Sequence, residues 1–306
     1  MTAPVLDPGV AALLRRLDEE GRGLGRLPLD EERASYRAFC LEQSAPPPAG
    51  VATDDLAISG EVEIPARLYV PPGADAPAGC LVFLHGGGGV IGDVAAYDSV
   101  CRTLAHASGV RVLSVDYRLA PEHPAAAAFD DAEAAVRWTF AHAEALGVDP
   151  QRIAVGGDSQ GGLLAAAAAQ RCRDLPLALQ LLIYPGLGLD PEISAPFMQG
   201  YYLDADAIAY FTGHLHAAGG PEILALMPHG KDLRGCAPAC IVTAGFDLLS
   251  SGVPQYTALL SRADVPFRHE DFPTLTHSFL TMSSASEAAA DAVRRVAAAL
   301  RDGLAH

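Results

Sequence analysis

The chain has 306 residues, of which half are hydrophobic and 19% are charged, and its formal net charge is −16. This length allows one large or two modest domains with a substantial core. An acidic balance of that size argues against nucleic acid or an anionic membrane as a partner, because both attract basic surfaces.

The N-terminus and the cysteines indicate the compartment. The first residues lack the basic start and apolar core of a signal peptide, and no apolar run approaches the roughly 20 residues of a transmembrane helix. Scattered cysteines without paired metal-ligand spacing favour buried or free thiols over disulfides. They are Cys40, Cys80, Cys101, Cys172, Cys236 and Cys240. We therefore expect a cytoplasmic protein without a membrane partner.

The first part of the chain is predicted to be helical. Asp7 can cap a helix whose first position is Pro8, and a second helical pattern runs from Asp30 to about Gln43. The segment 46–48 consists only of prolines, which indicates a linker after this helical pair.

Short apolar strands then alternate with helices. Strands are predicted at 51–58, 62–70, 80–85, 110–115, 152–157, 179–184, 239–245 and 266–272, and helices near 95–107, 125–146, 159–173, 250–262 and 284–302. Continuous apolar strands separated by helices predict a mostly parallel sheet that is covered on both faces.

A long interval between Tyr184 and Ala239 interrupts this alternation. It contains a helical pattern at 204–215, with Asp204 as its expected N-cap. Together with the N-terminal helices, this insertion is expected to form a lid over the strand ends. The predicted organisation is therefore a cap from residues 1–45 and 185–235 on a core from residues 46–184 and 236–306.

The segment 157–161, Gly-Asp-Ser-Gln-Gly, follows a predicted strand and opens a predicted helix. G-x-S-x-G at such a corner is typical of a nucleophile elbow, in which glycines allow a sharp turn that lifts the serine hydroxyl out of the sheet. An ordinary glycine-rich turn is the alternative. The position favours Ser159 as a nucleophile, with the amide groups of the next helix near any oxyanion.

A second glycine-rich segment, His85-Gly86-Gly87-Gly88-Gly89, directly follows another predicted strand. Without side chains in the way, its backbone N–H groups can point into a site and stabilise an oxyanion. A phosphate-binding loop is the alternative, but it needs a lysine or a G-x-G-x-x-G spacing, and neither is present. His85 is expected to fix the loop by hydrogen bonding rather than to act as a base.

An acid and a base are expected to follow the nucleophile along the chain. Asp247 comes directly after a predicted strand, and His277 follows the last predicted strand and its loop, so the order Ser159, Asp247, His277 fits a catalytic triad. His214 and His216 lie two residues apart on a predicted helix and face different ways. No zinc-ligand arrangement is present, and neither a metal nor another cofactor is expected.

These motifs together resemble the bacterial hormone-sensitive-lipase-like esterase family, the GDSAG-type α/β-hydrolases. The resemblance rests on HGGG, VDYRLAPEHP (115–124), GDSQGG (157–162), VTAGFD (242–247) and the histidine at 277, and it covers essentially the whole chain. It implies an eight-stranded, mostly parallel sheet flanked by helices, with a helical cap. It also implies a carboxylesterase that hydrolyses short-chain acyl esters by a Ser-His-Asp acyl-enzyme mechanism.

The resemblance also implies roles for residues around the triad. The oxyanion-hole N–H groups belong, by the family pattern, to Gly86, Gly87 and Gln160, and His85 and Gly88 support the loop. Structural supports are implied at Arg118 and Glu122.

The chain departs from the family pattern without losing a catalytic group. Gly89 stands where an aromatic residue is usual, and Gln160 stands where alanine is usual. Leu248 replaces a common proline, Ser251 replaces a common aspartate, and Ser278 replaces a common glycine. We expect Gly89 to belong to the substrate pocket and to widen it.

The sequence leaves the substrate open. The same chemistry on lactones, amides or longer-chain lipids is one alternative, and a non-catalytic ligand receptor on the same scaffold is another. Such a receptor is expected to lack part of the triad, usually the histidine, whereas all three positions are filled here. The expected partner is a small-molecule ester, and a homodimer is among the oligomeric states left open.

Overall fold

Eight strands form one sheet in the computed structural model, which describes residues 4–60, 62–74, 77–219 and 223–305. The parts of the predicted regions that fall on residues 1–3, 61, 75–76, 220–222 and 306 lie outside the described residues. The strands are β1 (Ala52–Ile58), β2 (Ile64–Val70), β3 (Ala78–Leu84), β4 (Arg111–Val115), β5 (Val148–Asp158), β6 (Leu179–Ile183), β7 (Ala239–Phe246) and β8 (Phe267–Thr276).

The order of strands across the sheet is β1-β2-β4-β3-β5-β6-β7-β8. Strand β2 runs antiparallel to both β1 and β4, whereas the other neighbouring pairs are parallel. The prediction of an eight-stranded, mostly parallel sheet is therefore confirmed.

Ten α-helices are formed by the described residues. They are α1 (Pro8–Glu19), α2 (Leu29–Gln43), α3 (Asp98–Ser108), α4 (Ala125–Ala141), α5 (Gln160–Arg171), α6 (Pro191–Ser194), α7 (Ala205–Ala217), α8 (Ile223–Leu226), α9 (Val253–Arg262) and α10 (Glu287–Gly303). Within these described residues, none of the helices combines the length and the apolar character that crossing a membrane requires.

Helices cover both faces of the sheet and so create two hydrophobic cores. Leu104 of α3 and Val296 of α10 belong to the core on one face, and Phe129 of α4 and Leu164 of α5 belong to the core on the other. Strand β3 contributes to both cores and is buried at every residue. A strand that is covered on both faces needs apolar side chains throughout, which explains the continuous apolar runs in the sequence.

Both predicted helix N-caps are confirmed. The Asp7 carboxylate accepts hydrogen bonds from the N–H groups of Gly9 and Val10 at 2.9 and 3.1 Å. The Asp204 carboxylate accepts one from the N–H of Ala207 at 2.9 Å. Each carboxylate satisfies donors that have no partner inside the helix, and its negative charge favours the positive end of the helix dipole.

Helix α4 ends earlier than predicted. The helix expected at 125–146 ends at Ala141, and the following turn passes through Gly147, whose φ of +63° lies in the left-handed region that favours glycine. Strand β5 begins at the next residue, Val148. The sequence predicted a longer helix because apolar residues of this turn also pack against the core.

The N-terminal helices and the insertion after β6 pack against each other. The Phe39 ring of α2 stacks on Tyr202 with ring centroids 4.8 Å apart. The Arg26 guanidinium lies 2.6 Å from the Asp204 carboxylate at the start of α7. These contacts join the two parts of the expected cap, whose boundaries stay a prediction.

All six cysteines are free and buried, in agreement with the expectation of buried or free thiols. Burial raises the pKa of each thiol above its ordinary value. The protonated form is therefore favoured in the folded protein, and none of the six sits in an environment that would activate a thiolate.

Gly161 and Gly213 offer a matched test of close packing. A Cβ on Gly161 at the start of α5 would come 1.9 Å from the Leu84 carbonyl oxygen, whereas a Cβ on Gly213 in α7 would meet nothing within 4 Å. We expect Gly161→Ala to lower the free energy of unfolding by several kcal/mol. Gly213→Ala should raise it by about 0.5–1 kcal/mol, because alanine favours a helix over glycine.

Urea unfolding of both variants measures these changes in free energy. A Gly161→Ala variant as stable as the wild type would show that the elbow does not need its close approach to β3.

Candidate active site

Four chain segments that carry polar groups meet at one edge of the sheet. Each begins directly after the C-terminal end of a parallel strand, and such ends lie on the same side of the sheet. The first residues after these ends are His85 after β3, Ser159 after β5, Asp247 after β7 and His277 after β8.

The turn at Ser159 is sharp and strained. Ser159 has a φ of +55°, which residues other than glycine rarely adopt and which costs about 1–3 kcal/mol. The turn lies so close to β3 that a Cβ on Gly157 would come 2.2 Å from the Leu84 carbonyl oxygen. Small flanking residues are therefore required, and the turn projects the serine from the end of β5.

Ser159, His277 and Asp247 form one continuous chain of hydrogen bonds. His277 Nδ1 lies 2.7 Å from Asp247 Oδ2, and His277 Nε2 lies 2.9 Å from Ser159 Oγ. The ionised carboxylate only accepts, so Nδ1 carries the proton and Nε2 is left to accept from the serine hydroxyl. The N–H of Leu249 donates to Asp247 Oδ1 at 2.9 Å and holds the carboxylate in place.

The N–H of Gly86 points away from this chain. It donates to the buried Asp158 Oδ1 at 2.7 Å, with the Tyr97 hydroxyl at 3.2 Å. The expectation that Gly86 is an oxyanion donor is therefore corrected, because this N–H is already bound. Gly87 and Gly88 line the same cavity as Ser159, so the part of the loop that faces Ser159 is one residue further along.

Asp158 is a site residue that the sequence analysis did not single out. Its carboxylate is 1% exposed and also accepts hydrogen bonds from the hydroxyls of Tyr97 at 3.0 Å and Tyr184 at 3.3 Å. Burial raises the pKa of Asp158 to about 6, against the opposing effect of these donors. It occupies a variable position of G-x-S-x-G, so only its acidic character next to Ser159 could have drawn attention to it.

His85 holds the glycine-rich loop through a hydrogen bond and a ring contact. Its Nδ1 donates to the Gly86 carbonyl at 2.8 Å, and its ring stacks on Tyr117 with centroids 4.4 Å apart. Burial lowers the pKa of His85, so the imidazole is held neutral. These contacts agree with a supporting role and place His85 outside the hydrogen-bond chain of Ser159.

Arg118 and Glu122 form ion pairs that hold the segment after β4. The Arg118 guanidinium and the buried Asp131 carboxylate of α4 are 2.7 Å apart. Glu122 is paired at 2.7 Å with Arg33 of α2, whose guanidinium also donates to the Ala120 carbonyl. The second pair connects the N-terminal helices to the core.

The cavity above Ser159 has a volume of about 210 Å³. It is bounded on one side by Gly87, Gly88 and Gln160 and on the other by apolar side chains of the cap. Helix α7 lies directly on the glycine-rich loop, because a Cβ on Gly88 would come 2.4 Å from the Phe211 ring. A side chain at this position would push the cap away from the loop.

Gly89 does not itself line this cavity. A Cβ on Gly89 would lie 3.5 Å from Leu215 Cδ2 and 3.6 Å from Gln160 Cγ, and both of these side chains do line it. The glycine therefore affects the cavity through the space it leaves for Gln160 and Leu215, and not as a lining residue.

The other departures from the family pattern are accommodated locally. The Ser251 hydroxyl donates to the Leu248 carbonyl at 2.7 Å and accepts from the Asp190 N–H at 3.1 Å, so it connects the turn after β7 to the start of α6. Ser278 has a φ of +66°, which explains why glycine suits that position. Among the described residues, no group of three or more His, Cys, Asp or Glu side chains could hold a metal ion.

The raised pKa of Asp158 predicts a pH dependence of stability. An unfolded aspartate titrates near 3.9, so between about pH 4 and 6 the folded protein keeps a proton that the unfolded chain loses. The stability from this group is fully present below about pH 4 and is lost as the pH rises through 6. The loss is at most about 2–3 kcal/mol, at about 1.4 kcal/mol per pKa unit.

Asp158→Asn isolates this effect because the amide does not titrate. We expect the unfolding free energy of the wild type to fall relative to that of Asp158→Asn as the pH rises from 4 to 7 in urea titrations. Parallel curves for the two proteins would contradict the raised pKa.

Comparisons with known proteins agree with this architecture. A family model described as "alpha/beta hydrolase fold" matches residues 81–281. The esterase LipI of Mycobacterium tuberculosis is 40% identical over 81% of each chain, and the ethyl acetate hydrolase of Pseudomonas putida is 37% identical over 98% of this chain and 99% of its own.

Among solved structures, the ester hydrolase EH1AB1 from the metagenome of Lake Arreo superposes with a TM-score of 0.89 at 34% identity, over 99% of this chain and 100% of its own. The esterase of the archaeon Pyrobaculum calidifontis superposes with a TM-score of 0.87 at 33% identity, over 97% and 98% of the two chains. The chain therefore belongs to the α/β-hydrolase family, among its hormone-sensitive-lipase-like esterases.

Proposed function

We propose that this protein is a carboxylesterase that hydrolyses short-chain acyl esters through an acyl-enzyme on Ser159. The observation that carries the proposal is the hydrogen-bonded chain from Ser159 through His277 to Asp247, which opens on a largely apolar cavity. Relatives named esterase or carboxylesterase over most of their length support it.

In the first step, His277 acts as general base. Its Nε2 accepts the Ser159 proton while the serine oxygen attacks the ester carbonyl, and the Asp247 carboxylate holds the ring in the required tautomer and stabilises the imidazolium. His277 then donates this proton to the leaving alcohol. An acyl-enzyme on Ser159 remains.

The oxyanion of the tetrahedral intermediate needs donors that are in place before the reaction. We assign this role to the N–H groups of Gly87, Gly88 and Gln160, whose residues line the cavity beside Ser159. Gln160 is also the first residue of α5, where the helix dipole favours a negative charge. One such donor contributes about 2.7–4 kcal/mol to transition-state stabilisation.

Deacylation repeats the same proton transfers with water. Water takes the place of the alcohol, His277 removes its proton, and the serine oxygen leaves as the acid is released. This chain supplies every group that these steps use, and the proposed mechanism employs no metal or cofactor. The expected partner is a small ester, and buried thiols fit the proposal of a cytoplasmic location.

Removal of the nucleophile tests the mechanism. We expect Ser159→Ala to reduce kcat for p-nitrophenyl butyrate by more than about a thousandfold, since loss of a triad serine removes the covalent route. Ser261→Ala in α9 is the matched control, because that exposed hydroxyl donates to the Thr257 carbonyl within its own helix. The control should keep wild-type kcat, and circular dichroism should show both variants folded.

If Ser159→Ala kept more than a few per cent of the wild-type kcat, Ser159 would not be the nucleophile.

The size of the cavity predicts the preferred acyl length. Each methylene that enters an apolar cavity gains about 0.8 kcal/mol, so kcat/KM should rise with chain length until the cavity of about 210 Å³ is full. We expect the maximum at or before hexanoate in a series of p-nitrophenyl esters. Rates that increase steadily to dodecanoate would contradict the short-chain preference and favour a lipase.

A further inference from the structure

A second cavity lies beside the one above Ser159. Its volume is about 580 Å³, and it lies between helix α1 and the segment 200–204 of the insertion. Leu14 and Leu17 of α1 and Tyr202 contribute apolar surface to it, whereas Arg15 and Asp18 contribute charged groups.

Leu24 lines both cavities. Leu203 lines the cavity above Ser159, whereas its neighbours in sequence, Tyr202 and Asp204, line the second cavity. Leu24 and Leu203 are only 7% and 4% exposed, although each of them lines a cavity. Leu24 therefore lies between the two cavities, and Leu203 lies where the insertion passes from one cavity to the other; we call these two leucines the wall.

The loop that carries Leu24 is held from inside by a buried carboxylate. Glu32 of α2 is 3% exposed and accepts hydrogen bonds from the N–H groups of Gly25, Arg26 and Leu27 at 2.9–3.1 Å. Three backbone donors on one carboxylate fix the loop directly after Leu24, and charge-assisted hydrogen bonds of this kind are among the stronger ones.

The same loop is also held by α7. A Cβ on Gly25 would come 3.2 Å from the Ala207 Cα, so loop and helix are in close contact. The Arg26 guanidinium contacts the carboxylates of Asp204 and Asp206 at 2.6 and 3.3 Å. The backbone directly after Leu24 is therefore held by contacts with both α2 and α7.

We propose that Leu24 determines the longest hydrocarbon chain that the enzyme accepts, because it separates the cavity above Ser159 from the second cavity. The proposal rests on the esterase function proposed above. A chain that starts at the ester on Ser159 ends at the leucine wall, and the wall keeps the second cavity out of its reach. Loss of the Leu24 side chain joins the two spaces.

The chain that reaches the wall belongs either to the acid or to the alcohol part of the ester. Two substrate series distinguish them: p-nitrophenyl esters from butyrate to dodecanoate, and alkyl acetates from ethyl to decyl. In each series the measured quantity is the ratio of kcat/KM for the longest substrate to that for the shortest. This ratio reports chain length independently of any general change in activity.

Leu24→Ala is expected to raise this ratio at least tenfold in one of the two series, and Leu203→Ala, which removes the other half of the wall, is expected to act in the same direction. Leu14→Ala is the matched control. It shortens a leucine that lines only the second cavity, so its ratio should equal that of the wild type. Leu24→Met, which keeps the volume, should also retain the wild-type ratio.

The outcomes separate this inference from the proposed function. Unchanged ratios in both series for folded Leu24→Ala and Leu203→Ala overturn the role of the wall, while the esterase function stands. If Leu24→Ala does not fold, Leu203→Ala alone decides. Failure of the wild-type protein to hydrolyse any ester of either series overturns the proposed function and the inference together.

Discussion

The buried carboxylate of Asp158 connects the two loops on which the site depends. Asp158 is the last residue of β5 and directly precedes Ser159, whereas Gly86, whose N–H it binds at 2.7 Å, follows β3. The side chain thus fixes the distance between the serine and the glycine-rich loop. Because the Gly86 N–H turns toward the interior, the next two residues, Gly87 and Gly88, are left to face the cavity. In the proposed mechanism, this single interaction excludes the Gly86 N–H from the oxyanion hole.

Two energetically unfavourable features lie next to each other at the end of β5. Ser159 adopts a strained backbone conformation, and an acidic group is buried beside it. A buried carboxylate requires compensating donors, and Gly86, Tyr97 and Tyr184 supply them. The surrounding sheet holds both features in place, since β5 lies between β3 and β6 near the middle of the sheet. Strain of this kind is common where a reactive group must be held in one orientation.

Much of this arrangement could be predicted from the sequence, because local patterns encode it. The apolar runs located the strands, and G-x-S-x-G after such a run located Ser159. The direction of the Gly86 N–H could not be predicted, since it depends on a contact with a residue 72 positions away. The proposed role of Leu24 could not be predicted for a different reason. A leucine between two glycines carries no chemical signal, and its place beside the cavity depends on the packing of the cap.

The buried cysteines have a practical consequence for covalent labelling. All six native thiols are shielded and held protonated in the folded protein, so maleimides and iodoacetamide have no accessible target there. Reagents that acylate or phosphonylate serine therefore act without interference from thiol chemistry. A single cysteine introduced on the exposed surface of α7 would accept a fluorophore at one defined position. The surroundings of α7 during turnover could then be followed spectroscopically without first removing the native thiols.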